Sequence, residues 1–348
     1  MGINKEISVS VLMTAYNAEN YVKEAIQSIL EQTYSDFEFV IINDGSTDKT
    51  LEIIQSFDDK RIRIINEGKF GYYKAKRRLI EEAKGKYIAI MDADDIADKN
   101  RFEAEVDFLD KHPDFGLVGT NATWIDKDNK PFGKGFNFSY SPEELKCRLL
   151  FHNCFVHSSV LIRKSILDKY QLNYREKASE DLDLWVQISR YIEVKNIPKK
   201  LIKYRIHSNS IVHSNWYKKD NGLKQITFEQ LDYYFPEILS VEEKNAIFGL
   251  VNFDVENDNK VMSIILKSIQ KLLQSNQKNE HFNDIFFRKV IQERWFKKII
   301  RLKEYSSEIW KTNKECKEIL DIPLTPKQHL FEIILILNII LKKRIIKV

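Results

Sequence analysis

Between residues 7 and 91, short apolar runs of strand length alternate four times with stretches whose apolar residues recur at helical spacing, and this alternation constrains the fold most. Residues 7–13 read as a buried strand ending in Thr14-Ala15-Tyr16-Asn17, and Tyr21, Val22, Ala25, Ile26, Ile29 and Leu30 predict a helix over about 18–32. Residues 37–43 form the second strand, closed by Asp44-Gly45-Ser46-Thr47-Asp48, with Ser46 or Thr47 as the expected cap of a helix carrying Leu51, Ile54 and Phe57. A third strand over 61–66, a helix over 73–83 and a fourth strand over 87–91 complete the series. Short connections between such elements predict an α/β fold, a Rossmann-like and mostly parallel sheet flanked by helices. Ligands of such sheets bind outside the carboxyl ends of the strands.

The fourth strand ends in Asp92-Ala93-Asp94-Asp95. Three carboxylates within four positions repel one another unless positive charge compensates them, and a hard divalent cation, Mg²⁺ or Mn²⁺, suits oxygen ligands and substrate phosphates. The other reading is an acidic loop in solvent, favoured by the helix start that follows. The first βα turn lacks the Gly-x-Gly-x-x-Gly fingerprint and no Gly-Lys-Ser/Thr phosphate loop occurs, so any nucleotide is held by side chains and metal. Asp44 either accepts a hydrogen bond from a base or ribose or belongs to an ordinary Asp-Gly turn.

Further on, Phe102, Val106 and Leu109 predict a helix stopped near Pro113, 116–125 a strand, 126–131 a hairpin turn, Ser141-Pro142 a helix start and 157–162 another strand. Glu180-Asp181 opens a helix, where acids also occur for ordinary helix-start reasons. Arg205 and His207 follow a strand-like run and have the chemistry to face a diphosphate or metal, or are simply surface groups. From 216 onward the chain reads as helical, with Phe287, Val290, Ile291, Trp295, Ile299 and Leu302 in one stripe. Residues 285–348 hold 15 Lys and Arg against 7 Asp and Glu, in a chain of net charge +4, so this region is the basic part. The apolar run 330–341, flanked by Lys342-Lys343-Arg344, is too short to span a bilayer and fits a core helix or a helix on an anionic membrane surface. Three cysteines without CxxC spacing and no signal-peptide pattern predict a cytoplasmic protein, peripheral at the inner face of the plasma membrane if the second reading holds. The modest net charge gives no reason to expect a nucleic-acid partner.

In order, VSVLMTAYNAENYVKEAIQSILEQTYSDFEFVIINDGSTDKT, GKYIAIMDADD, SEDLDLW and YRIHSNS make the chain resemble the inverting glycosyltransferases of family 2, with the GT-A fold and of the bacterial polysaccharide-biosynthesis type. The resemblance covers roughly 8–213. It implies a glycosyltransferase domain over 1–215, its donor-binding half about 1–115 and acceptor half about 116–215; the helical, basic region over 216–348 is read from its own periodicity and charge and lies outside the resemblance. It further implies transfer from a nucleotide sugar, commonly a UDP-sugar, to a hydroxyl of a saccharide or lipid-linked saccharide. By the same resemblance, Thr14, Ala15, Tyr16, Asn17, Asp44, Lys76, Asp92, Ala93 and Asp94 bind donor, and Asp92, Asp94, Asp95 and His207 are the metal candidates for Mn²⁺ or Mg²⁺. Asp181 is the expected general base, with Glu180 beside it. Ala75-Lys76-Arg77-Arg78 departs from the Ala-Arg-Asn or Ala-Leu-Asn frequent in the family, which puts one donor contact in question. The competing functions are a sugar nucleotidyltransferase, which lacks its glycine-rich signature here, and a catalytically silent nucleotide-sugar-binding subunit.

Overall fold

The computed structural model describes residues 7–208, 221–253, 258–302 and 306–330 apart from 327. The elements run β1 (Val9–Ala15), α1 (Val22–Leu30), β2 (Phe37–Asn43), α2 (Thr50–Gln55), β3 (Ile62–Ile65), α3 (Tyr72–Glu82), β4 (Tyr87–Asp92), β5 (Ile96–Ala97), α4 (Arg101–Lys111), β6 (Phe115–Ile125), β7 (Pro131–Phe136) and α5 (Pro142–Leu149). A 3₁₀ turn at His157–Ser159 then leads into β8 (Leu161–Arg163), α6 (Lys164–Tyr170), α7 (Glu180–Ser189) and β9 (Glu193–Arg205). Contacts divide the chain into two compact units, Met1–Leu145 with Asn153–Leu223, and Lys146–His152 with Lys224–Val348.

In the first unit the strand order is β3-β2-β1-β4-β8-β6-β9-β5, with β7 on β6. The β3-β2-β1-β4 half is parallel, as the alternation predicts, because each crossover helix returns the chain to the same end of the sheet. Beyond it, β8 is inserted antiparallel to both β4 and β6. The runs 9–13 and 37–43 are buried at every position because helices cover both faces of the sheet. Register sets Thr14 beside Asp92 and Ala15 beside Asn43, so the carboxyl ends of β1, β2 and β4 finish level at the point where strand order reverses.

One local expectation gives way. Neither Ser46 nor Thr47 caps α2: Lys49 holds the cap position without a side-chain bond, and Asp48 accepts from the Thr50 amide at 2.9 Å. The hydroxyls of Ser46 and Thr50 instead accept from the amides of Asn17 and Ala18, and Asn17 Oδ1 accepts from the Thr47 amide at 2.8 Å. The two βα turns are thus latched to each other. The first helix correspondingly starts later than its apolar stripe suggested, at Val22, since Asn17, Ala18 and Glu19 serve the latch.

The second unit is helical: α8 (Gly222–Tyr234), α9 (Val241–Phe248), α10 (Asn259–Asn279), α11 (Asp284–Ile299) and α12 (Ser307–Leu320). Its core includes the stacked rings of Phe235, Phe282 and Phe287 and the α11 stripe read from the sequence. Part of the basic charge is internal: Arg294 and Lys298 are buried and donate to the carbonyls of Leu250, Val251 and Phe253. Among the described residues no helix is long and apolar enough to cross a membrane. Most of the 330–341 run lies outside the described residues.

Candidate active site

The acidic loop at the end of β4 separates its three carboxylates by partner. Asp92, one-third exposed, faces His157, whose Nδ1 stands 2.8 and 3.0 Å from its two oxygens, and accepts from the Ser158 hydroxyl at 2.8 Å. Burial pushes its carboxyl up, but the His157 ring, Lys76 and Ser158 outweigh that and hold it below the usual aspartate range. Asp94 keeps a partly exposed side chain with Oδ2 at 2.9 Å from His207 Nε2. Asp95 is buried: Oδ1 accepts from the Arg205 amide at 2.8 Å and Oδ2 contacts the Ser158 hydroxyl. Burial and the charges of Asp94 and Asp92 push its carboxyl well up.

Arg205 does not face the crevice. Its guanidinium is buried and donates to the carbonyls of Asp94 and Asp126, to Asn129 and to Glu24, so it braces the acidic loop and the 126–129 turn. The diphosphate reading of this residue yields to a bracing one because its donors are already committed. Tyr204, one position earlier, is half-buried, and burial together with Asp95, Asp92, Asp94 and Asp181 raises its phenol.

At the end of β2, Asp44 is more than a turn residue. It is buried, and Oδ1 accepts from the amides of Phe70 and Gly71 at 2.6 and 2.9 Å, which folds the 67–71 loop over Gly45. A side chain at Gly45, whose φ is +73°, would also meet Lys69 Cβ at 2.9 Å. Tyr16 is 49% exposed, with Lys69 Nζ 4.9 Å from its ring centre.

The acids of α7 have partners from elsewhere in the unit, which helix-start chemistry alone does not explain. Glu180 is buried, with Oε1 at 2.5 Å from both Lys76 Nζ and the Tyr72 hydroxyl. Burial raises this carboxyl, yet Lys76 and the His157 ring hold it below the ordinary glutamate range. Lys76 is therefore tied to Glu180 inside the wall, where it lines a small cavity with Thr14, Asp92, His157 and Tyr174. Replacing Lys76 with Met leaves the Glu180 charge buried without a counter-ion and is expected to cost about 3–5 kcal/mol, read as a lower denaturant midpoint. With Glu180 depressed and Lys76 raised, the pair stabilises the fold above the ordinary glutamate range, and this is lost as acid titrates Glu180. An unfolding free energy within about 1 kcal/mol of wild type, the scale of an ordinary substitution, would sink this assignment.

Asp181 accepts from Asn153 Nδ2 at 2.6 Å and from the Leu182 amide at 2.7 Å. Burial, then the Glu180 charge, raises its carboxyl, while the His157 ring and Lys76 oppose the shift. His157 thus acts electrostatically on Asp92, Glu180 and Asp181 alike, so the two acidic motifs read from the sequence line one site.

His157, Ser158, Tyr174, Tyr72 and Asn153 were not singled out from the sequence, which placed His157 only at a strand start. No local pattern marks them: the contact follows from the β4–β8 pairing, whose register Tyr87↔Arg163 and Ala89↔Leu161, carried on, sets Asp92 opposite Ser158.

Among the described residues no three His, Cys, Asp or Glu side chains gather as a ready metal cluster. Partly exposed Asp92 and Asp94 with His207 nevertheless fit a hard cation that takes one or two carboxylates and completes its sphere from substrate phosphates.

A family model described as "Glycosyl transferase family 2" matches residues 10–171. An uncharacterized glycosyltransferase of Haemophilus influenzae is 32% identical over 271 residues, 74% of this chain and 84% of the relative. The Escherichia coli UDP-Glc:alpha-D-GlcNAc-diphosphoundecaprenol beta-1,3-glucosyltransferase WfgD is 30% identical over 215 residues, 61% of this chain and 81% of the relative. Staphylococcus aureus TarS 1-349, solved in complex with UDP-GlcNAc, shares the fold with a TM-score of 0.54 at 16% identity, over 89% of this chain and 92% of that one.

Proposed function

We propose that the chain, which belongs to glycosyl transferase family 2, moves a hexose from a UDP-sugar to a hydroxyl of a lipid-linked saccharide, with inversion and with a divalent metal. The observation that carries this reading is the convergence of the strand-end acids, Asp92 beside Thr14 and Asp94, with Glu180-Asp181 at a helix start: His157 acts on Asp92, Glu180 and Asp181, and Tyr204 feels Asp92, Asp94 and Asp181 together. The reaction needs both groups: one set to hold the diphosphate end of the donor, and one carboxylate to accept the proton of the attacking hydroxyl. WfgD, whose name gives UDP-Glc as donor, a diphosphoundecaprenol-linked sugar as acceptor and a beta linkage, supports the UDP-sugar, the lipid-linked acceptor and inversion. A second donor reading has no observation to favour it.

In this mechanism the Thr14–Asn17 turn, latched to the loop after β2, and Asp44, fixed by the 70–71 amides, hold the nucleoside. Asp94 and Asp92, with His207 on Asp94, would hold Mn²⁺ or Mg²⁺; Asp95 has both oxygens engaged within the fold. When bound, the metal neutralises the negative charge that develops on the departing diphosphate. Lys76, paired with Glu180 inside the wall, acts electrostatically on Asp92 rather than by direct contact with the donor. Asp181 takes the acceptor proton as the glycosidic bond forms, so it must be ionised. Because its carboxyl is raised, the acidic limb of kcat/KM for the acceptor is expected above the usual aspartate range of about 3.9. A profile flat down to pH 4 would overturn the base assignment.

The domain proposal follows the same lines: a glycosyltransferase domain over about 1–215, donor half first, and a helical, basic region after it that serves a membrane-proximal acceptor at the inner face of the plasma membrane. Incubating the protein with UDP-, GDP- and dTDP-sugars, a diphosphopolyprenol-linked sugar and Mn²⁺ tests the function. The expected result is UDP release that depends on both acceptor and metal. No nucleotide release from any pair would refute it, and release of pyrophosphate from UTP with a sugar 1-phosphate as co-substrate would favour a nucleotidyltransferase instead.

A further inference from the structure

His157 sits in the 3₁₀ turn just before β8, and the antiparallel pairing of β8 with β4 brings it to the acidic loop. Its ring is largely buried, lies between Trp185 and Tyr174 at 6.3 and 6.1 Å, and spends both nitrogens. Nδ1 stands within 3.0 Å of both Asp92 oxygens, and Nε2 is 3.0 Å from the Tyr174 hydroxyl. Asp92 is the last residue of its strand, with like charge two positions on, and a carboxylate there turns away from Asp94 unless something holds it.

We propose that His157 is a positioning residue: an Nδ1–H donated to Asp92 fixes that carboxylate in the orientation the donor needs, and Tyr174 fixes the imidazole. This rests on the glycosyltransferase reading above. The Tyr174 hydroxyl stands 3.0 Å from Nε2 and turns the ring so that Nδ1 faces Asp92, and a ring held there by a carboxylate carries its N–H on Nδ1 whether it is neutral or an imidazolium. Ser158 supplies a second bond to the same carboxylate at 2.8 Å, so the His-Ser pair grips Asp92 from one side. A buried histidine that merely filled space would not require an N–H at Nδ1.

Two substitutions separate the roles. The amide nitrogen of Asn overlays Nδ1, and that of Gln overlays Nε2. His157→Asn therefore keeps a donor for Asp92 while losing the larger ring volume, and His157→Gln keeps volume and the Tyr174 contact while losing that donor. The expected result is a donor KM raised at least about tenfold in the Gln variant and within about threefold of wild type in the Asn variant, a gap that one hydrogen bond to a charged group supports. Acceptor KM should stay within about twofold in both. A packing role predicts the opposite order, with Asn worse; that order, equal loss in both, no loss in either, or a change confined to acceptor KM each overturns the proposal. A readout that needs no turnover accompanies this: ¹⁵N shifts of the His157 ring, assigned by difference among the seven histidines with the Asn variant. Protonated Nδ1, in the neutral ring or in the imidazolium, supports it. Unprotonated Nδ1 in the wild type refutes it even where transfer is robust, whereas absent transfer with a protonated Nδ1 refutes the function and leaves the grip on Asp92 standing.

Discussion

Asp181→Asn is expected to slow sugar transfer by about 10²–10⁴-fold while nucleotide affinity stays within a few-fold, because the amide keeps the shape of the carboxylate and loses its basicity. Shape matters here, since Asp181 is held by the Leu182 amide on one oxygen and by Asn153 on the other. Only the second of these must rearrange when an NH₂ replaces an oxygen. Folding should not suffer either: the substitution removes a charge that Glu180 opposes in a half-buried place. The loss should therefore fall on kcat with acceptor present, and the residual reaction should lose the acidic limb that Asp181 imposes. Steady-state kinetics with a calorimetric titration of UDP, set beside a thermal melt, measure all three. A variant that transfers at the wild-type rate with unchanged UDP binding removes Asp181 from the reaction. A variant that fails to bind UDP instead moves it to the donor side.

How much of this was legible beforehand depended on the range of the interaction. The parallel half of the sheet was readable because burial on both faces writes continuous apolar runs such as 37–43 into the sequence, and each crossover is local. The acidic loop was readable because three carboxylates in four positions are anomalous by themselves. Partners at long sequence separation were not. Lys76 and Glu180 are 104 residues apart, Asp92 and His157 are 65 apart, and no local pattern at any of the four names its mate. Residues 46–50 misled for the related reason that Ser and Thr before a helix read as caps, whereas here their hydroxyls and amides serve Asn17 and Ala18 across the sheet. Arg205 misled because a guanidinium near a strand end suits a phosphate and a set of carbonyls equally, and only burial tells them apart. The antiparallel insertion of β8, which builds the His157 contact, interrupts the alternation that made the first half readable.

The acidic loop itself gives the second large effect, a contrast between adjacent residues. Ser158 Oγ lies within hydrogen-bond reach of both Asp92 Oδ2 and Asp95 Oδ2, yet a hydroxyl has one hydrogen. If that hydrogen goes to Asp92, the contact with Asp95 is satisfied only by a proton on Asp95, which donates back to Ser158. Burial and two neighbouring charges push the Asp95 carboxyl in that direction. A neutral carboxyl accepting from the Arg205 amide and donating to a serine is well imitated by an asparagine side chain. Asp95→Asn is therefore expected to keep kcat/KM within about threefold of wild type and to leave the metal concentration for half-maximal rate unchanged. Asp94 differs: its side chain is partly exposed and, among the described residues, its Oδ2 meets His207, which leaves it the carboxylate the proposal gives to the cation. In the proposed mechanism Asp94→Ala removes one of the two carboxylates assigned to the metal, and a loss of about 10²–10³-fold in kcat/KM is expected from the electrostatic stabilisation forgone. Binding of Mn²⁺ in the presence of UDP, followed by electron paramagnetic resonance, should weaken in Asp94→Ala and persist in Asp95→Asn. The reverse order would make Asp95 the ligand and require its buried bonds to Arg205 and Ser158 to break when metal arrives. Equal loss in both would mean that the loop binds as one unit and that Asp95 carries a charge the fold gives it no means to hold.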